Sequence, residues 1–417
     1  MIPVLTDRSR ELMERAARLF PGGVNSPVRA FGSVGGSPRV IERASGARLW
    51  DVDGNELIDY IGSWGPMILG HAHPVVIAAA QEAAARGLGY GTPSPGELEL
   101  AEEIVAAMPS IERLRFVSSG TEAAMSALRV ARAATGRDAV VKMAGGYHGH
   151  ADGLLVQPGS GATGLPASAG VTAATAADTL VAPYNDLDAV DALLGARPVA
   201  AVIVEPVAAN MGVVPPEHGY LAGLRESTER HGSLLIFDEV ITGFRIGRGG
   251  AQERYGVQPD LTVLGKIIGG GLPVGAYGGR ADLMRLVAPQ GPVYQAGTLA
   301  GNPLAMATGL ATLRCLTPEV YQRLETVSAN LERGLQAAAA EAGVTVRTAR
   351  VASLLTAFFD SPGRFARFFH AMLDRGILLP PSQQEAWFVS AAHGEDELTA
   401  TLAAARHAFA AAFEGDR

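Results

Sequence analysis

Lysine is scarce in this sequence, and one of its two lysines stands where an amine is able to do chemistry. Lysine and arginine total 34, yet Lys142 and Lys266 are the only lysines. Lys266 lies in the apolar, glycine-flanked stretch LTVLGKIIGGGLPVG, residues 261–275. A guanidinium stays protonated and forms no Schiff base, whereas a lysine amine does so with a carbonyl. Lys266 is therefore a candidate nucleophile, although one surviving lysine is also compatible with a structural role.

Three further groups have the residue types that an amine-based site needs. Asp238 ends the apolar run LLIFDEV, where a carboxylate is able to keep a ring nitrogen protonated. Tyr147 and His148, in GGYHGH, offer rings for stacking. The stretch SSGT (118–121) follows a strand and opens a helix, where N–H groups attract phosphate. An amine, an acid, an aromatic face and an anion cradle are together what a pyridoxal phosphate site requires.

Each of these groups taken alone also has a structural explanation. SSGT alone is an ordinary helix cap, and Asp238 alone is equally a buried aspartate that caps a neighbouring helix. Glu239 points to the opposite face of the strand and is the weaker acid. The histidine pairs in HAH (71–73) and HGH (148–150) could suggest a metal site. Histidines two residues apart without carboxylates nearby are, however, poor ligand geometry. No metal is predicted, and Lys142, in the middle of a strand, is predicted to be a partly buried structural lysine.

The elements that must position these groups follow from the apolar runs. Helices are predicted at 7–20, 121–135 and 219–232, and strands at 113–118, 139–145, 199–207, 233–240 and 261–266. Strands that are apolar on both faces and separated by helices predict a mainly parallel sheet covered on both sides, an α/β fold. Ligands of such sheets bind beyond the carboxyl ends of the strands, where all four groups fall.

Three segments are predicted along the chain. Residues 1–48 form an N-terminal arm that joins the small domain, residues 49–316 the large α/β domain, and residues 317–417 a smaller α+β domain. The small domain opens with a long helix that begins near residue 317 and closes with an Ala-rich helix from Glu395. The Gly/Ser-rich tract 157–170 is the one long stretch without predicted structure inside the large domain, and loops of this length are typical of lids or disordered segments.

Composition excludes several other classes of function. The 34 cationic and 42 anionic side chains give a net charge of −8, which does not favour nucleic acid or an anionic membrane surface. The single Cys315 excludes an intramolecular disulfide framework and a multi-cysteine metal site. The sequence shows neither a secretory signal nor an apolar stretch long enough to span a bilayer, so a cytoplasmic location is predicted.

The same residues sit in long motifs that extend over nearly the whole chain. These include PGGVNSPVRAFG, SSGTEAAMSALR, GGYHGHAD, EPVAANMG, FDEVITGFR, VLGKIIGGGLPVGAYGG and YQAGTLAGNPLAM. In them the chain resembles the class III aminotransferase group of fold-type I pyridoxal phosphate transferases and, within it, the glutamate-1-semialdehyde 2,1-aminomutase family. It departs from the family pattern SQFEAGF, which reads SQQEAWF here and retains Glu385.

The resemblance implies a role for each matched position. Lys266 holds pyridoxal or pyridoxamine 5'-phosphate and moves the proton between cofactor and substrate carbons, Asp238 pairs with the ring nitrogen, and Tyr147 stacks on the ring. The other implied cofactor residues are Ser119, Gly120, Thr121, His148 and, from the neighbouring subunit of a homodimer, Thr298. The implied substrate residues are Ser26, Arg29, Trp64, Asn210, Ser160 and Glu385, and residues 159–170 match the gating loop of the family.

The implied activity is an isomerisation of a small molecule in tetrapyrrole synthesis. Glutamate-1-semialdehyde becomes 5-aminolevulinate by intramolecular exchange of the amino group, and a glycine- and serine-rich lid would keep the intermediate bound. Glutamyl-tRNA reductase, which makes the unstable aldehyde, is a conceivable partner without any supporting residue pattern.

Two alternatives stay open at this point. An ω-aminotransferase shares the lysine, the aspartate and the fold but needs an added keto acid, and the motif VNSPVRAF and the tract 159–170 favour the aminomutase over it. A non-enzymatic binder of a phosphorylated ligand is the other alternative. GGGLPVGAYGG lacks the spacing of a P-loop or dinucleotide fingerprint, and a binder needs no lone lysine.

Overall fold

The structure, a computed structural model, describes residues 6–156 and 168–414. The helices are α1 (Asp7–Ala17), α2 (Pro74–Arg86), α3 (Pro95–Ala107), α4 (Gly120–Thr135), α5 (Ala173–Ala177), α6 (Leu187–Ala196), α7 (Tyr220–His231), α8 (Gly250–Tyr255), α9 (Ala281–Met284), α10 (Pro303–Cys315), α11 (Pro318–Glu341), α12 (Pro362–Leu373) and α13 (Glu395–Ala412). The strands are β1 (Ile41–Ser45), β2 (Arg48–Asp51), β3 (Glu56–Asp59), β4 (Arg113–Val117), β5 (Ala139–Met143), β6 (Thr179–Ala182), β7 (Val199–Val204), β8 (Leu234–Asp238), β9 (Leu261–Gly265), β10 (Gly275–Gly279), β11 (Arg347–Val351), β12 (Leu354–Phe358), β13 (Ile377–Leu378) and β14 (Trp387–Phe388).

These elements divide into two units. The first unit contains Met1–His73 and Pro318–Arg417, and the second contains Pro74–Thr317. Residues 49–73, which the sequence analysis assigns to the large domain, therefore group with the terminal segments. The reason is strand pairing, because β3 pairs in parallel with β13 through Ile58 and Ile377. Such a pairing between distant segments leaves no local signal in the sequence.

A seven-stranded sheet forms the centre of the second unit. Its strand order is β4-β10-β9-β8-β7-β5-β6. Strands β6, β5, β7, β8 and β9 pair in parallel, and β10 pairs antiparallel with both of its neighbours. Every residue of β5, β7 and β9 is buried, as is expected of strands covered on both faces. The predicted α/β fold with a mainly parallel sheet is confirmed.

Helix α4 shows why the sequence places a helix directly after β4. Ser119 is its N-cap, and the side-chain oxygen accepts a hydrogen bond from the Glu122 N–H. Gly136 ends the helix in the left-handed conformation with φ 66°. Between these caps the helix buries an Ala-rich face that includes Ala124, Leu128 and Ala131. That face packs in one hydrophobic core with the strands, so α4 begins at the carboxyl edge of the sheet.

Strand β10 is one of the elements that the sequence analysis does not predict. Three of its five residues are glycine, which is depleted in strands. The structure gives the reason for this composition, because a Cβ at Gly278 would lie 2.6 Å from the Arg113 carbonyl oxygen. Side chains at Gly275 and Gly279 would overlap the carbonyl oxygens of Ser119 and Asp260. The glycines therefore permit close packing between the strand and its neighbours.

The first unit contains two smaller sheets and a helical layer. One sheet has the order β1-β2-β3-β13, and the other has the order β11-β12-β14. An aromatic-rich core joins them to α11, α12 and α13, with Phe365, Phe368 and Phe409 among its buried residues. Among the described residues, no helix combines the length and the apolar character needed to cross a membrane.

Candidate active site

Lys266 stands at the carboxyl end of β9, as its place after an apolar run predicts. It opens a short 3-10 turn, Lys266–Gly269, and its side chain is half-buried. Its backbone has a φ of 50°, in the left-handed region that few lysines occupy. Such conformations persist where the surroundings enforce them, often at functional sites. The backbone strain adds a second observation to the residue type.

Asp238 ends β8, the strand next to β9, and its carboxylate is buried and fixed in orientation. Oδ1 accepts a hydrogen bond of 3.0 Å from the Val240 N–H. Oδ2 lies 2.7 Å from His148 Nδ1, a distance at which the ring N–H donates to the carboxylate. The His148 side chain is fully buried and Asp238 is 4% exposed. His148 therefore orients the Asp238 carboxylate, a role different from the ring stacking that the sequence suggests.

The starts of three segments converge around Val240, two residues after Asp238. A Cβ at Gly120 would lie 3.2 Å from Val240 Cγ2, so the first turn of α4 passes directly beside it. A Cβ at Gly265 would lie 3.3 Å from Val240 Cγ1, which places the residue before Lys266 at the same point. The acid, the amine and the helix start are therefore neighbours in the second unit.

The start of α4 also contacts the turn that follows β5. The hydroxyl of Thr121 lies 3.2 Å from His150 Nδ1 and accepts a 3.3 Å hydrogen bond from the His150 N–H. A side chain at Gly149 would overlap Thr121. Glu122, a residue that the sequence analysis misses, accepts a 2.7 Å hydrogen bond from the Ser118 N–H. The spacing of Ser119 and Glu122 matches a capping box, which is the signal that could have identified it.

Glu205, at the end of β7, connects the turn after β5 to Asn210. Oε1 accepts a 2.9 Å hydrogen bond from the Tyr147 N–H, and Oε2 accepts hydrogen bonds from the Ala209 N–H and Asn210 Nδ2. Burial raises the pKa of Glu205, while the nearby His148 opposes the shift. Glu205 opens the motif EPVAANMG, but the motif does not reveal its role, which depends on these tertiary neighbours.

Glu239 has a structural role, which agrees with its rank as the weaker acid. It is fully buried and accepts hydrogen bonds from the Ala251 N–H, the Thr242 hydroxyl and both nitrogens of Gln252. These donors lie at the start of α8 and in the preceding turn, so the carboxylate caps that helix. Burial raises the pKa of Glu239, and the hydrogen bonds oppose the shift.

Lys142 is more deeply buried than the sequence predicts. Its exposed fraction is 0%, so the expectation of partial burial is wrong. The ammonium donates hydrogen bonds of 2.9 Å to the carbonyl oxygens of Gly146 and Val156, and a longer one of 3.4 Å to that of Leu154. Strand β5 sits between β6 and β7, which explains why a mid-strand side chain is fully enclosed.

The other predicted residues lie outside this cluster or in the first unit. Thr298 lies in the exposed turn that leads into α10. In the first unit, Ser26 precedes the 3-10 turn Pro27–Ala30 that contains the exposed Arg29, and Trp64 has a φ of 68°. Glu385 is 8% exposed. Ser160 and most of the predicted lid, 159–170, fall outside the described residues.

Gln383, which matches the family pattern, and Trp387, which departs from it, anchor the segment that contains Glu385. Gln383 Oε1 accepts a 2.8 Å hydrogen bond from the Phe359 N–H. Trp387 is fully buried, with ring centroids 6.0 Å from Tyr60 and 6.4 Å from Phe368. The Gln383 hydrogen bond and the buried Trp387 ring therefore fix this segment within the core of the first unit.

The cluster in the second unit fits pyridoxal phosphate. The first-turn N–H groups of α4 have no partners within a helix and suit a phosphate. Asp238, held by His148, supplies an acid for a ring nitrogen, and Lys266 supplies an amine on the adjacent strand. These are the phosphate, acid and amine positions that the cofactor needs, and they meet at one edge of the sheet.

Comparisons with known proteins give a consistent picture. The sequence model of the family described as aminotransferase class-III matches residues 31–402. A glutamate-1-semialdehyde 2,1-aminomutase from Roseiflexus castenholzii is 62% identical over 421 residues, which cover 97% of each chain. A transaminase solved with PLP bound superposes with a TM-score of 0.92 at 32% identity, covering 99% of this chain and 100% of that one. A glutamate-1-semialdehyde aminomutase from Pseudomonas aeruginosa PAO1, solved in complex with PMP, has a TM-score of 0.86 at 30% identity, covering 96% and 94%.

Proposed function

The chain belongs to the class-III aminotransferase family, and on that premise we propose that it is a glutamate-1-semialdehyde 2,1-aminomutase that acts with pyridoxal and pyridoxamine 5'-phosphate. Its substrate and product are isomers, because the amino group moves from C4 to C5 of a five-carbon acid and the carbonyl moves from C5 to C4. The net reaction needs no oxidant, reductant or second substrate.

One observation carries the choice between an aminomutase and an ω-aminotransferase. Solved structures of both kinds superpose closely at about 30% identity, so the fold does not separate them. Sequence does, because the 62% identical relative that matches 97% of the chain is named an aminomutase. The fold-type I architecture and the cofactor are common to both activities.

Pyridoxal phosphate supplies a reversible carrier for the amino group and an electron sink at the carbon that loses a proton. Lys266 is the amine that binds the aldehyde of that carrier and moves the proton between carbons. Its place at the end of β9, next to the acid on β8, supports both roles. Asp238 keeps the ring nitrogen protonated, and the buried His148 hydrogen bond holds the carboxylate in one orientation. Tyr147 lies in the same turn as His148 and supplies the aromatic face.

The phosphate, at the other end of the cofactor, binds at the start of α4. The backbone N–H groups of Ser119, Gly120 and Thr121 and the hydroxyls of the serine and the threonine bind the phosphate at the positive end of the helix dipole. Asn210, whose amide donates a hydrogen bond to Glu205, is proposed to line the substrate pocket. The carboxylate of Glu205 thus orients Asn210 and the Tyr147 backbone together.

Residues of the first unit are proposed to bind the substrate. Arg29 and Ser26 would take its carboxylate, and Trp64 and Glu385 would line the pocket. The exposed guanidinium of Arg29 and the unusual backbone of Trp64 support these assignments. The tract 159–170 is proposed as a lid, since the exchange is intramolecular only while the substrate-derived diamine stays bound.

A homodimer is proposed, with Thr298 bound to the phosphate of the neighbouring subunit. Large apolar side chains are exposed around that turn, with Tyr294 at 73% and Leu299 at 62%. Large exposed apolar side chains at the proposed contact support an interaction surface there. Sedimentation would give the oligomeric state, and we expect Thr298→Ala to weaken cofactor binding without dissociating the dimer. A cytoplasmic location and a partnership with glutamyl-tRNA reductase stay predictions.

The test of the function is turnover without an acceptor. The purified chain, loaded with pyridoxamine phosphate, is incubated with glutamate-1-semialdehyde and no keto acid, and 5-aminolevulinate is measured over many turnovers. Sustained product is expected. Product that stops after one turnover, or that requires a keto acid, would instead identify an ω-aminotransferase.

Two variants make this assay specific to the proposed site. Lys266→Ala removes the amine, and Lys266→Arg keeps a positive charge that forms no Schiff base. When the chains are loaded with pyridoxal phosphate instead, we expect both variants to lack the visible absorbance of the covalently bound cofactor. If both instead kept that absorbance, the assignment of Lys266 would be wrong.

A further inference from the structure

The peptide between Gly146 and Tyr147 is held from both sides by buried charges. Its carbonyl oxygen accepts a 2.9 Å hydrogen bond from Lys142 Nζ. Its N–H donates a 2.9 Å hydrogen bond to Glu205 Oε1. Lys142 is 0% exposed and Glu205 is 5% exposed, so water competes little with either bond. Hydrogen bonds to charged groups are stronger than neutral ones, and a low dielectric strengthens them further.

The clamped peptide lies directly before two residues of the proposed cofactor site. Tyr147 follows it, and His148 then bonds to Asp238 at 2.7 Å. The same ammonium also holds the carbonyl oxygens of Leu154 and Val156 on the far side of the loop. One side chain on a fully buried strand of the sheet therefore ties down both ends of residues 146–156.

Geometry explains why this position is lysine in a chain where arginine fills almost every other cationic position. A lysine ammonium is a compact charge with three donors that point in different directions, and within the described part of the chain it meets the carbonyl oxygens of Gly146, Leu154 and Val156. A guanidinium is larger and planar, with its donors in a fixed fork, so it does not replace a compact ammonium in this fully enclosed space without displacing the loop. We propose that Lys142 is a positioning residue that fixes Tyr147 and His148 against the cofactor by clamping residues 146–156, an inference that rests on the proposed function.

The chain offers a matched control for this clamp. Arg137 donates to three backbone carbonyl oxygens, those of Val199, His231 and Gly232, at distances of 2.9–3.0 Å. It precedes β5, whereas Lys142 lies near the carboxyl end of that strand. Arg137→Met thus removes a cation that binds the same kind of acceptors at the edge of the sheet opposite the site.

The test compares Lys142→Met, Lys142→Arg and Arg137→Met with the wild type as holoenzymes. Hydrogen–deuterium exchange is measured over residues 146–156, together with the absorbance spectrum and dissociation constant of pyridoxal phosphate. In both Lys142 variants we expect faster exchange in this loop, a shifted absorbance band and a dissociation constant raised roughly tenfold, as for one lost charge-assisted hydrogen bond. Arg137→Met is expected to lower thermal stability but to leave the loop exchange, the absorbance spectrum and the dissociation constant of pyridoxal phosphate unchanged.

The outcomes separate the clamp from a general loss of stability. Exchange and cofactor affinity in Lys142→Met within twofold of the wild type would overturn the proposal, as would equal effects of Arg137→Met. If loop exchange and cofactor affinity in Lys142→Arg equal those of the wild type, the argument from donor geometry is wrong. If Lys142→Met does not fold, Lys142→Arg is the variant that tests the proposal. Failure of the proposed function would appear differently, as a wild type that binds the cofactor but forms no 5-aminolevulinate.

Discussion

Lys142 also carries a prediction about pH, because burial lowers its pKa from 10.5 to about 8, and the nearby Glu205 only partly opposes this shift. Between these two pH values the unfolded chain keeps the proton on Lys142 while the folded chain has released it. The free energy of unfolding must then rise with pH. The cost of burying the charge is present in full below pH 8 and disappears as pH approaches 10.5.

The size of this effect follows from the same two values. Their difference is 2.5 units, from 10.5 to 8, and each unit corresponds to about 1.4 kcal/mol. Lys142 should therefore add about 3 kcal/mol of pH-dependent stability across this range. Relative to Lys142→Met, the wild type should gain this amount as pH rises, because other titrating groups are common to both chains.

Two measurements check this result. Lysine labelled with carbon-13 gives two side-chain signals from a chain with two lysines, and Lys142→Met assigns them. The Lys142 signal is expected to titrate near pH 8. Urea unfolding of both chains at a series of pH values gives the stability difference. A Lys142 signal that titrates near 10.5, or a stability difference that does not change with pH, would refute the argument from burial.

Further substitutions test other parts of the site and of the fold. Lys266→Arg should lower turnover by at least about a thousandfold, and borohydride should no longer fix the cofactor to the chain. His148→Phe keeps a ring but no donor for Asp238, so the dissociation constant of the cofactor should rise roughly tenfold, as measured by absorbance titration. Glu239→Gln should cost about 1–3 kcal/mol in urea unfolding, because the buried donors around it lose charge-assisted bonds, yet leave the bound-cofactor spectrum unchanged. Gly278→Ala should lower the free energy of unfolding by about 1–3 kcal/mol, since its Cβ meets the Arg113 carbonyl, and an unchanged melting temperature would contradict the close packing of β10.

The sequence predicted the elements that carry the site because their signals are local. The run LLIFDEV begins with four apolar residues, and β8 is buried along almost its whole length. The same holds for β9, which ends one residue before Lys266. Strand β10 was missed because glycine has no strand propensity, and only the nearness of β4 and β9 explains its composition.

The role of Glu205 and the division of the chain into two units could be identified only from the structure. Glu205 opens the motif EPVAANMG, but the motif does not show the donors that Tyr147, Ala209 and Asn210 bring to its carboxylate. The boundary at residue 73 depends on the pairing of β3 with β13, which are more than three hundred residues apart. Local patterns contain no trace of either.

The pairing of β3 with β13 also sets the order in which the chain is able to fold during synthesis. The second unit is one continuous segment, Pro74–Thr317, so all of its strands are available before the last hundred residues, 318–417, are made. The first unit lacks β13 until Ile377 and Leu378 leave the ribosome, and until then the edge of β3 is unpaired. Domains generally fold as units from the amino terminus, and unpaired strand edges favour aggregation. Residues 56–59 must therefore wait for residues 377–378, and until then the unpaired edge of β3 is a site where we expect the nascent chain to be prone to aggregation.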